Sequence, residues 1–246
     1  MLEASATTLY DSSFWNKRRS TAAQSASVCV PFLNDILEPT SVVDIGCGQG
    51  HWLVEFQRLG VQDVFGVDGQ YVAEQENLLI PETRFLARDL RLPLVFERTF
   101  SLALCLEVAE HIPRQSARQL VADLTRCASL VVFSAAIPGQ GGVGHVNEQW
   151  PWYWERLFRE FGFVQLDIIR PLIWKNTAIA QWYRQNMFVY ASQSECSAFV
   201  AEHQQESDSL TLVSRETLEK LATPSLLTRA IRKAGRLSGL WNSPTA

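Results

Sequence analysis

A doubly wound α/β fold with a seven-stranded, mostly parallel sheet is predicted by two features of the sequence. Short apolar runs alternate with helical patterns from Ser41 to about Phe163, as they do in consecutive βαβ units. Three glycines at alternate positions follow the first apolar run, where a buried strand must turn sharply into a helix. The strands are predicted at residues 41–45, 63–67, 84–87, 101–106, 130–134, 164–169 and 187–191.

Length and composition exclude several classes of protein. The 246 residues suffice for one α/β domain with appended structure, whereas two full domains would be crowded. A net charge of −4 indicates no basic surface, so nucleic acid is not a favoured substrate. The N-terminus has no leader-like pattern, and no apolar run approaches the roughly 18 residues of a membrane span. We therefore expect a cytoplasmic protein.

The five cysteines are odd in number and scattered, without the paired spacing of a disulfide framework or a zinc site. We expect them to be reduced and mostly buried thiols. They are Cys29, Cys47, Cys105, Cys127 and Cys196.

The glycine-rich turn is a candidate cofactor loop. Gly46, Gly48 and Gly50 follow a G-x-G-x-G spacing, whereas the dinucleotide fingerprint G-x-G-x-x-G needs a glycine where His51 stands. Asp44, two residues before the first glycine, would repel a pyrophosphate but suits a ligand with an ammonium group. The pattern argues against a dehydrogenase and favours S-adenosylmethionine (SAM).

The block from Asp44 to Gly50 resembles motif I of the class I SAM-dependent methyltransferases. The resemblance implies a Rossmann-like sheet closed by an antiparallel edge strand. It also implies that Asp44, Gly46, Cys47, Gly48 and Gly50 contact the cofactor.

Two more carboxylates follow predicted strands. Asp68, before Gly69 and 18 residues past Gly50, is placed to accept hydrogen bonds from ribose hydroxyls. Asp89 and Leu90 lie where the family contacts the adenine ring and its amino group. Alone, each aspartate could equally be a helix cap or a turn residue. The complete predicted cofactor set is Asp44, Gly46, Cys47, Gly48, Gly50, Asp68, Gly69, Asp89, Leu90, Leu106 and Glu107.

The fourth predicted strand runs directly into an E-x-x-E-H block, Glu107 to His111. This block resembles the equivalent segment of ubiquinone-pathway O-methyltransferases and of small-RNA terminal 2′-O-methyltransferases, where it binds a divalent metal. In the RNA enzymes a further histidine follows the fifth strand, and His145 falls in that region. The implied ligands are Glu107, Glu110, His111 and His145, a mixed N/O set that suits Mg²⁺, Mn²⁺, Fe²⁺ or Zn²⁺.

Two alternatives to a metal site remain open at this point. His145 or His111, with an unperturbed pKa of about 6.5, could act as a general base. Alternatively, Glu107 and Glu110 are surface or cofactor-contacting carboxylates, and His111 is a structural residue.

The chain is divided into three regions by its composition. Residues 1–37 carry a predicted helix from residue 22 and are either a lid over the cofactor or an arm stapled down by aromatic residues. Residues 38–191 form the SAM-binding domain. Residues 192–246 begin with a polar connection and end, from Leu226, in a basic amphipathic helix that could dock on the domain, a membrane surface or a partner.

The combined pattern resembles a family of bacterial methyltransferase-domain proteins that often accompany glycan or natural-product assembly. It implies a SAM-dependent O-methyltransferase that acts on a hydroxyl of a sugar or phenol-like small molecule. A metal-dependent RNA 2′-O-methyltransferase and a non-catalytic SAM-binding module are the alternatives. Dense tryptophan and tyrosine residues between Trp150 and Tyr183 favour an acceptor that stacks on rings, although such residues are often core.

Overall fold

The computed structural model describes residues 12–74 and 77–196, with side chains from residue 21 onward. The predicted basic helix from Leu226 and most of the predicted polar connection lie outside these residues. The strands are β1 (Ser41–Ile45), β2 (Asp63–Asp68), β3 (Phe85–Ala87), β4 (Leu102–Leu106), β5 (Leu130–Ser134), β6 (Phe163–Leu166) and β7 (Phe188–Ser192). The α-helices are α1 (Ser12–Leu37), α2 (His51–Arg58), α3 (Gln70–Ala73), α4 (Arg114–Cys127), α5 (Pro151–Glu160), α6 (Arg170–Ile173) and α7 (Gln181–Asn186).

All seven strands belong to one sheet of order β3-β2-β1-β4-β5-β7-β6. The first five strands are parallel, whereas β7 pairs antiparallel with both β5 and β6. The strand order reverses between β1 and β4, and this is the switch point where open α/β sheets bind ligands. The predicted Rossmann-like, mostly parallel seven-stranded fold is confirmed, with the antiparallel strand one place inside the edge.

Three predicted strands are shorter in the structure, the fourth only by its first residue, Ser101. The third begins at Phe85, because residues 82–84 form a 3₁₀ turn. The sixth ends at Leu166, three residues before its predicted end, because Ile169 already caps α6. At the sixth strand the apolar residues Ile168 and Ile169 continue beyond the ladder, so the pattern alone does not mark the boundary.

Both faces of the sheet are covered, and every residue of β4 and β5 is buried, as expected for central parallel strands. On one face α2 buries Leu53 and Phe56, while Leu59 at its end is 45% exposed. On the other face α4 buries apolar residues that include Leu120 and Leu124. The core therefore fixes the strand ends from both sides.

Helix α1 covers the predicted range from residue 22 and extends back to Ser12. Cys29, Val30 and Leu33 on it are fully buried in the core cluster that also contains α2. None of the described helices is long and apolar enough to cross a bilayer. Of the five cysteines, all but Cys196 are buried.

Candidate active site

A cavity opens at the carboxyl ends of β1 and β4, at the switch point of the sheet. The glycine loop after β1 forms its floor. Helices α1 and α7 contribute Ala22, Trp182 and Tyr183 to its wall. The remaining lining residues are Asp44, Gly46, Cys47, Gly48, Gln49, His51, Trp52, Tyr71, Val72, Leu106 and Glu107.

The backbone of the loop explains why its glycines are needed. Gly46, Gly48 and Gly50 have φ values of 88°, 51° and 91°, in the left-handed region that disfavours other residues. A Cβ atom on Gly46 would also lie 2.2 Å from Cγ2 of Val108. Gly50 is the N-cap of α2, so the loop ends where the helix begins. The first backbone amides of the helix, which have no partner within it, therefore lie next to the loop. The predicted tight strand-to-helix turn is present.

Asp68 stabilises this loop. Its carboxylate accepts hydrogen bonds from the amides of Gly48 (2.7 Å) and Gly69 (2.6 Å) and from the hydroxyl of Tyr71 (2.6 Å). Burial raises the pKa of Asp68, and these three donors partly oppose the shift. Gly48 and Tyr71 line the cavity, whereas Asp68 itself is only 5% exposed. Tyr71 was not among the predicted site residues, and its one signal in the sequence is a phenol three residues after a strand-ending aspartate.

Asp44 lines the centre of the cavity and is 2% exposed. Burial raises its pKa well above the usual value, and the nearby charge of Asp68 raises it further. A cation bound in the cavity would favour the ionised carboxylate. The chemistry of Asp44 thus fits a ligand with positive charge, as SAM has in its sulfonium and ammonium groups.

The structure does not bring Asp89 and Leu90 to this cavity. The carboxylate of Asp89 accepts hydrogen bonds from Nε (2.9 and 3.0 Å) and Nη2 (2.7 Å) of Arg91, which lower its pKa. Leu90 packs partly buried against the core. Sequence position alone could not reveal this, because Arg91 is a neighbour in the chain that competes for the carboxylate. The adenine contact at Asp89 stays a prediction.

Glu107 follows β4 with φ at 57°, an unusual conformation for a residue with a side chain. It lines the cavity beside Leu106. Its Oε1 accepts a hydrogen bond from Nδ2 of Asn186 (3.3 Å), and its Oε2 accepts one from Nε2 of Gln140 (3.1 Å). Burial is the largest effect on Glu107 and raises its pKa. The hydrogen bonds from Asn186, Ser134 and Gln140 and a charge on His145 partly oppose this, so the net shift is upward.

The buried amides that bind Glu107 come from distant parts of the chain. Gln185, Asn186 and Gln140 are all at most 8% exposed, and Gln185 donates to Asn186 (3.0 Å). Asn186 in turn donates to Gln140 (2.9 Å). These three were not among the predicted site residues, because amides in a sequence carry no spacing signal that tells a site from a surface.

Three of the four predicted metal ligands converge. One ligand atom from each of Glu110, His111 and His145 lies within 4.8 Å of those of the other two. Glu110 is fully buried, and its Oε1 is 3.9 Å from Nε2 of His145. Glu107 is not part of this group, which corrects the predicted set of four. The carboxylate of Glu107 instead accepts hydrogen bonds from the side-chain amides of Asn186 and Gln140 at the cavity.

Both histidines of this group have their Nδ1 atoms occupied. Nδ1 of His145 is 2.9 Å from Oε1 of Glu148, and Nδ1 of His111 is 3.2 Å from the carbonyl of Gly144. A carbonyl or a carboxylate only accepts, so each Nδ1 carries the proton. A neutral imidazole then has a lone pair on Nε2, as metal-binding histidines oriented by such partners do. The donor set therefore fits a divalent cation.

Glu148, which was not predicted as a site residue, also binds the glycine-rich loop after β5. Its carboxylate accepts the amides of Gly139 and Gly141, each at 2.8 Å, as well as His145. Burial raises the pKa of Glu148, but the hydrogen bonds from His145 and the two amides outweigh it, so the net shift is downward. One carboxylate thus fixes both the loop and the histidine that follows it.

Helix α1 contacts the start of α7, and residues of both helices line the cavity. Oγ of Ser25 accepts a hydrogen bond from the amide of Ala180 (3.0 Å), and Tyr183 packs edge-on against Trp52 with ring centroids 5.1 Å apart. Ala22 adds one cavity contact from α1. The lid function of the N-terminal region stays a prediction.

Comparison with solved structures shows the same fold in other proteins, two of which are described as methyltransferases. Streptomyces venezuelae DesVI is 15% identical, with a TM-score of 0.56 over 78% of this chain and 100% of the other. SAM-bound CalS10, an amino pentose methyltransferase from Micromonospora echinaspora, is 14% identical, with a TM-score of 0.56 over 75% and 98%. The sugar N-methyltransferase KedS8 from Streptoalloteichus is 14% identical, with a TM-score of 0.54 over 78% and 99%.

No curated protein sequence matches the chain significantly. The family described as "Methyltransferase domain" does match it, over residues 14–168. This range contains the glycine loop, Asp68, Glu107 and the Glu110–His111–His145 group. The closer resemblance to ubiquinone-pathway enzymes stays a prediction. The chain belongs to the methyltransferase-domain family and has the class I fold of enzymes that use S-adenosylmethionine.

Proposed function

We propose that this protein is a SAM-dependent O-methyltransferase that acts on a hydroxyl of a sugar or related small molecule. One observation carries the proposal. Glu110 and His111, which follow the strand whose end lines the cofactor cavity, converge with His145 from the loop after β5. Such a group next to a methyl donor is suited to activate an acceptor.

The choice of oxygen over nitrogen follows from the chemistry of the acceptor. A neutral amine attacks a methyl group with its own lone pair, whereas an alcohol is a weak nucleophile until its proton is removed or its pKa is lowered. Two imidazoles and a buried carboxylate can remove that proton or bind a cation that lowers the pKa of the hydroxyl. They therefore favour a hydroxyl acceptor over an amine. The related sugar N-methyltransferase fold makes nitrogen the natural competitor, so the test must separate the two atoms.

Within this proposal Glu110, His111 and His145 bind a divalent cation. The ion would supply Lewis acidity, which lowers the pKa of an acceptor hydroxyl. Glu148 orients the imidazole of His145, whose Nε2 lies 3.9 Å from Oε1 of Glu110, and the carbonyl of Gly144 contacts Nδ1 of His111. Glu148 holds the loop that contains Gly139 and Gly141, and the cavity positions the methyl donor for in-line transfer.

A sugar is favoured as the acceptor class by charge and by aromatic surface. With a net charge of −4, the chain has no general attraction for a polyanion such as RNA. Trp152, at the start of α5 shortly after the loop that carries His145, is 53% exposed and offers a ring on which a pyranose or phenol can stack.

The proposal is tested by incubating the protein with SAM that carries a ¹³C-labelled methyl group and a panel of sugars, amino sugars, phenols and a short RNA. The methylated atom is then located by NMR. We expect label on a hydroxyl oxygen of a sugar or phenol. Label on nitrogen would refute the O-methyltransferase assignment, and label on RNA, with binding that weakens steeply as salt is added, would support the RNA alternative instead.

A further inference from the structure

Two carboxylates line the cofactor cavity from different strands. Asp44 lies within β1, and Glu107 directly follows β4. The described residues that line the cavity include no lysine or arginine, and His51 is their one imidazole. The described wall of the cavity thus carries a carboxyl group at two separate points, each of which a bound cation would favour in its ionised form.

The end of β2 and Glu107 would face different parts of an adenosine ligand in the cavity. Tyr71, whose hydroxyl donates to Asp68 at the end of β2, lines the side of the cavity suited to ribose hydroxyls. Glu107 lies two strands away, beyond β1, or about 9.6 Å at the usual strand spacing. The Glu110–His111–His145 group is on the Glu107 side. A methyl group that is to be transferred there must point away from β2, which places the sulfur on the side of Glu107.

Glu107 is not free to turn away from the cavity. Each of its oxygens accepts a hydrogen bond from a buried amide, one from Asn186 and one from Gln140. Its backbone amide donates to the carbonyl of Ser134 at 2.9 Å. A carboxylate has about four acceptor positions, so two amide donors leave capacity for a ligand.

We propose that Glu107 makes the cavity prefer the sulfonium form of the cofactor over its uncharged thioether product, whereas Asp44 binds the ammonium group that both forms share. This inference rests on the cofactor assigned in the proposed function. The substrate and product differ by a methyl group and one positive charge at sulfur, and a carboxylate near that atom favours the charged form. The demethylated product then leaves readily, and SAM replaces it.

The experiment is calorimetric titration at one fixed pH with three ligands: SAM, S-adenosylhomocysteine and sinefungin. Sinefungin carries an amine in place of the sulfonium centre, so it reports charge without methyl transfer. The wild type should bind SAM and sinefungin more tightly than S-adenosylhomocysteine. Glu107→Gln should weaken the two cationic ligands by roughly tenfold, the scale of one charge-assisted contact, and leave S-adenosylhomocysteine unchanged.

Asp44→Asn is the matched variant, because it neutralises the other cavity carboxylate. It should weaken all three ligands by a similar factor. Asp123→Asn removes the charge of a buried carboxylate that does not line the cavity, and it should change none of the three affinities. Thermal melts of each variant establish that it is folded, and the wild-type comparison of the three ligands needs no variant.

Two results would overturn the inference. One is a wild type that binds S-adenosylhomocysteine as tightly as SAM and sinefungin. The other is an equal loss of SAM and S-adenosylhomocysteine affinity in Glu107→Gln. A failure to methylate any hydroxyl would refute the proposed function but would leave these affinity ratios unchanged, so the two failures are distinguishable.

Discussion

The cofactor cavity and the Glu110–His111–His145 group lie at the same edge of the sheet, yet they are built in different ways. The cavity floor is a continuous stretch of chain whose shape is set by backbone conformation at Gly46, Gly48 and Gly50. The histidine group is assembled from two segments more than 30 residues apart. They are joined where the amides of Val146 and Asn147 donate to the carbonyl of Glu110, while Glu148 fixes His145 within its own loop. Local geometry therefore makes the first region, and tertiary contacts make the second.

This difference predicts that the two regions have separate roles in the reaction. Changes in the cavity should alter cofactor affinity, and changes in the histidine group should alter the rate of transfer. Glu107 lies at the boundary, because it lines the cavity and is bound by Gln140 from the loop that leads to His145. The following variants are expected to keep the two regions separate or to show that they are coupled.

The largest effect is expected at the histidine group. His145→Ala removes an imidazole that is oriented by Glu148 and faces Glu110. The rate of methyl transfer should fall by about 10² to 10⁴, the usual contribution of a residue that assists proton removal. SAM affinity should stay unchanged. Rapid-quench kinetics and calorimetry on the same preparation check both statements, and full activity would show that His145 is structural.

In the cofactor region, Asp68→Ala should weaken SAM binding by roughly 1.5 to 3 kcal/mol, the range for hydrogen bonds to a charged group. The variant loses the acceptor for Gly48, Gly69 and Tyr71, so the loop itself is also loosened. Calorimetric titration of SAM measures the change. Tyr71→Phe removes one of the three donors and should produce a smaller loss, and equal affinity in wild type and Asp68→Ala would contradict the cofactor assignment.

The backbone of the loop is tested by stability. Gly46→Ala combines a positive φ with a Cβ atom placed 2.2 Å from Val108, whereas Gly60→Ala has a positive φ in open space. Gly46→Ala should therefore lower the free energy of unfolding by about 1 to 3 kcal/mol more than Gly60→Ala does. Urea denaturation of the two variants gives this difference. Equal losses would mean that the contact with Val108 is relieved by movement of the loop.

The smallest effect is expected at Asp89. Its carboxylate is bound by Arg91 and does not line the cavity. Asp89→Ala should change SAM affinity by less than about 0.5 kcal/mol, as surface substitutions usually do. A loss as large as that of Asp68→Ala would restore the adenine contact that the sequence predicts, and would require Asp89 to leave Arg91 when the cofactor binds.

The sequence predicted the fold and the glycine loop well because both depend on local rules. Alternating apolar runs specify the strands, and the positive φ angles at three positions leave glycine as the suitable residue. Strand ends were less predictable, since Val164 and Leu166 belong to β6 while Ile168 and Ile169 lie beyond it.

The histidine group was predictable only in part. Glu110 and His111 are adjacent in the chain, and a resemblance to known enzymes pointed to His145. The exclusion of Glu107 depends on two amides that reach it from Gln140 and Asn186, which are 33 and 79 residues away. Likewise, no spacing rule identifies Glu148 as the residue that fixes the loop. Such contacts exist only once the sheet has brought the strand ends together.

The central claim is that a cation-binding group distinct from the cofactor cavity activates the acceptor. It is tested most directly by single-turnover methyl transfer from SAM already bound to the wild-type protein, before and after treatment with a strong chelator. Transfer should be abolished by the chelator and restored by one of Mg²⁺, Mn²⁺, Fe²⁺ or Zn²⁺, while SAM affinity stays constant. Transfer at an unchanged rate in the chelator would contradict the account.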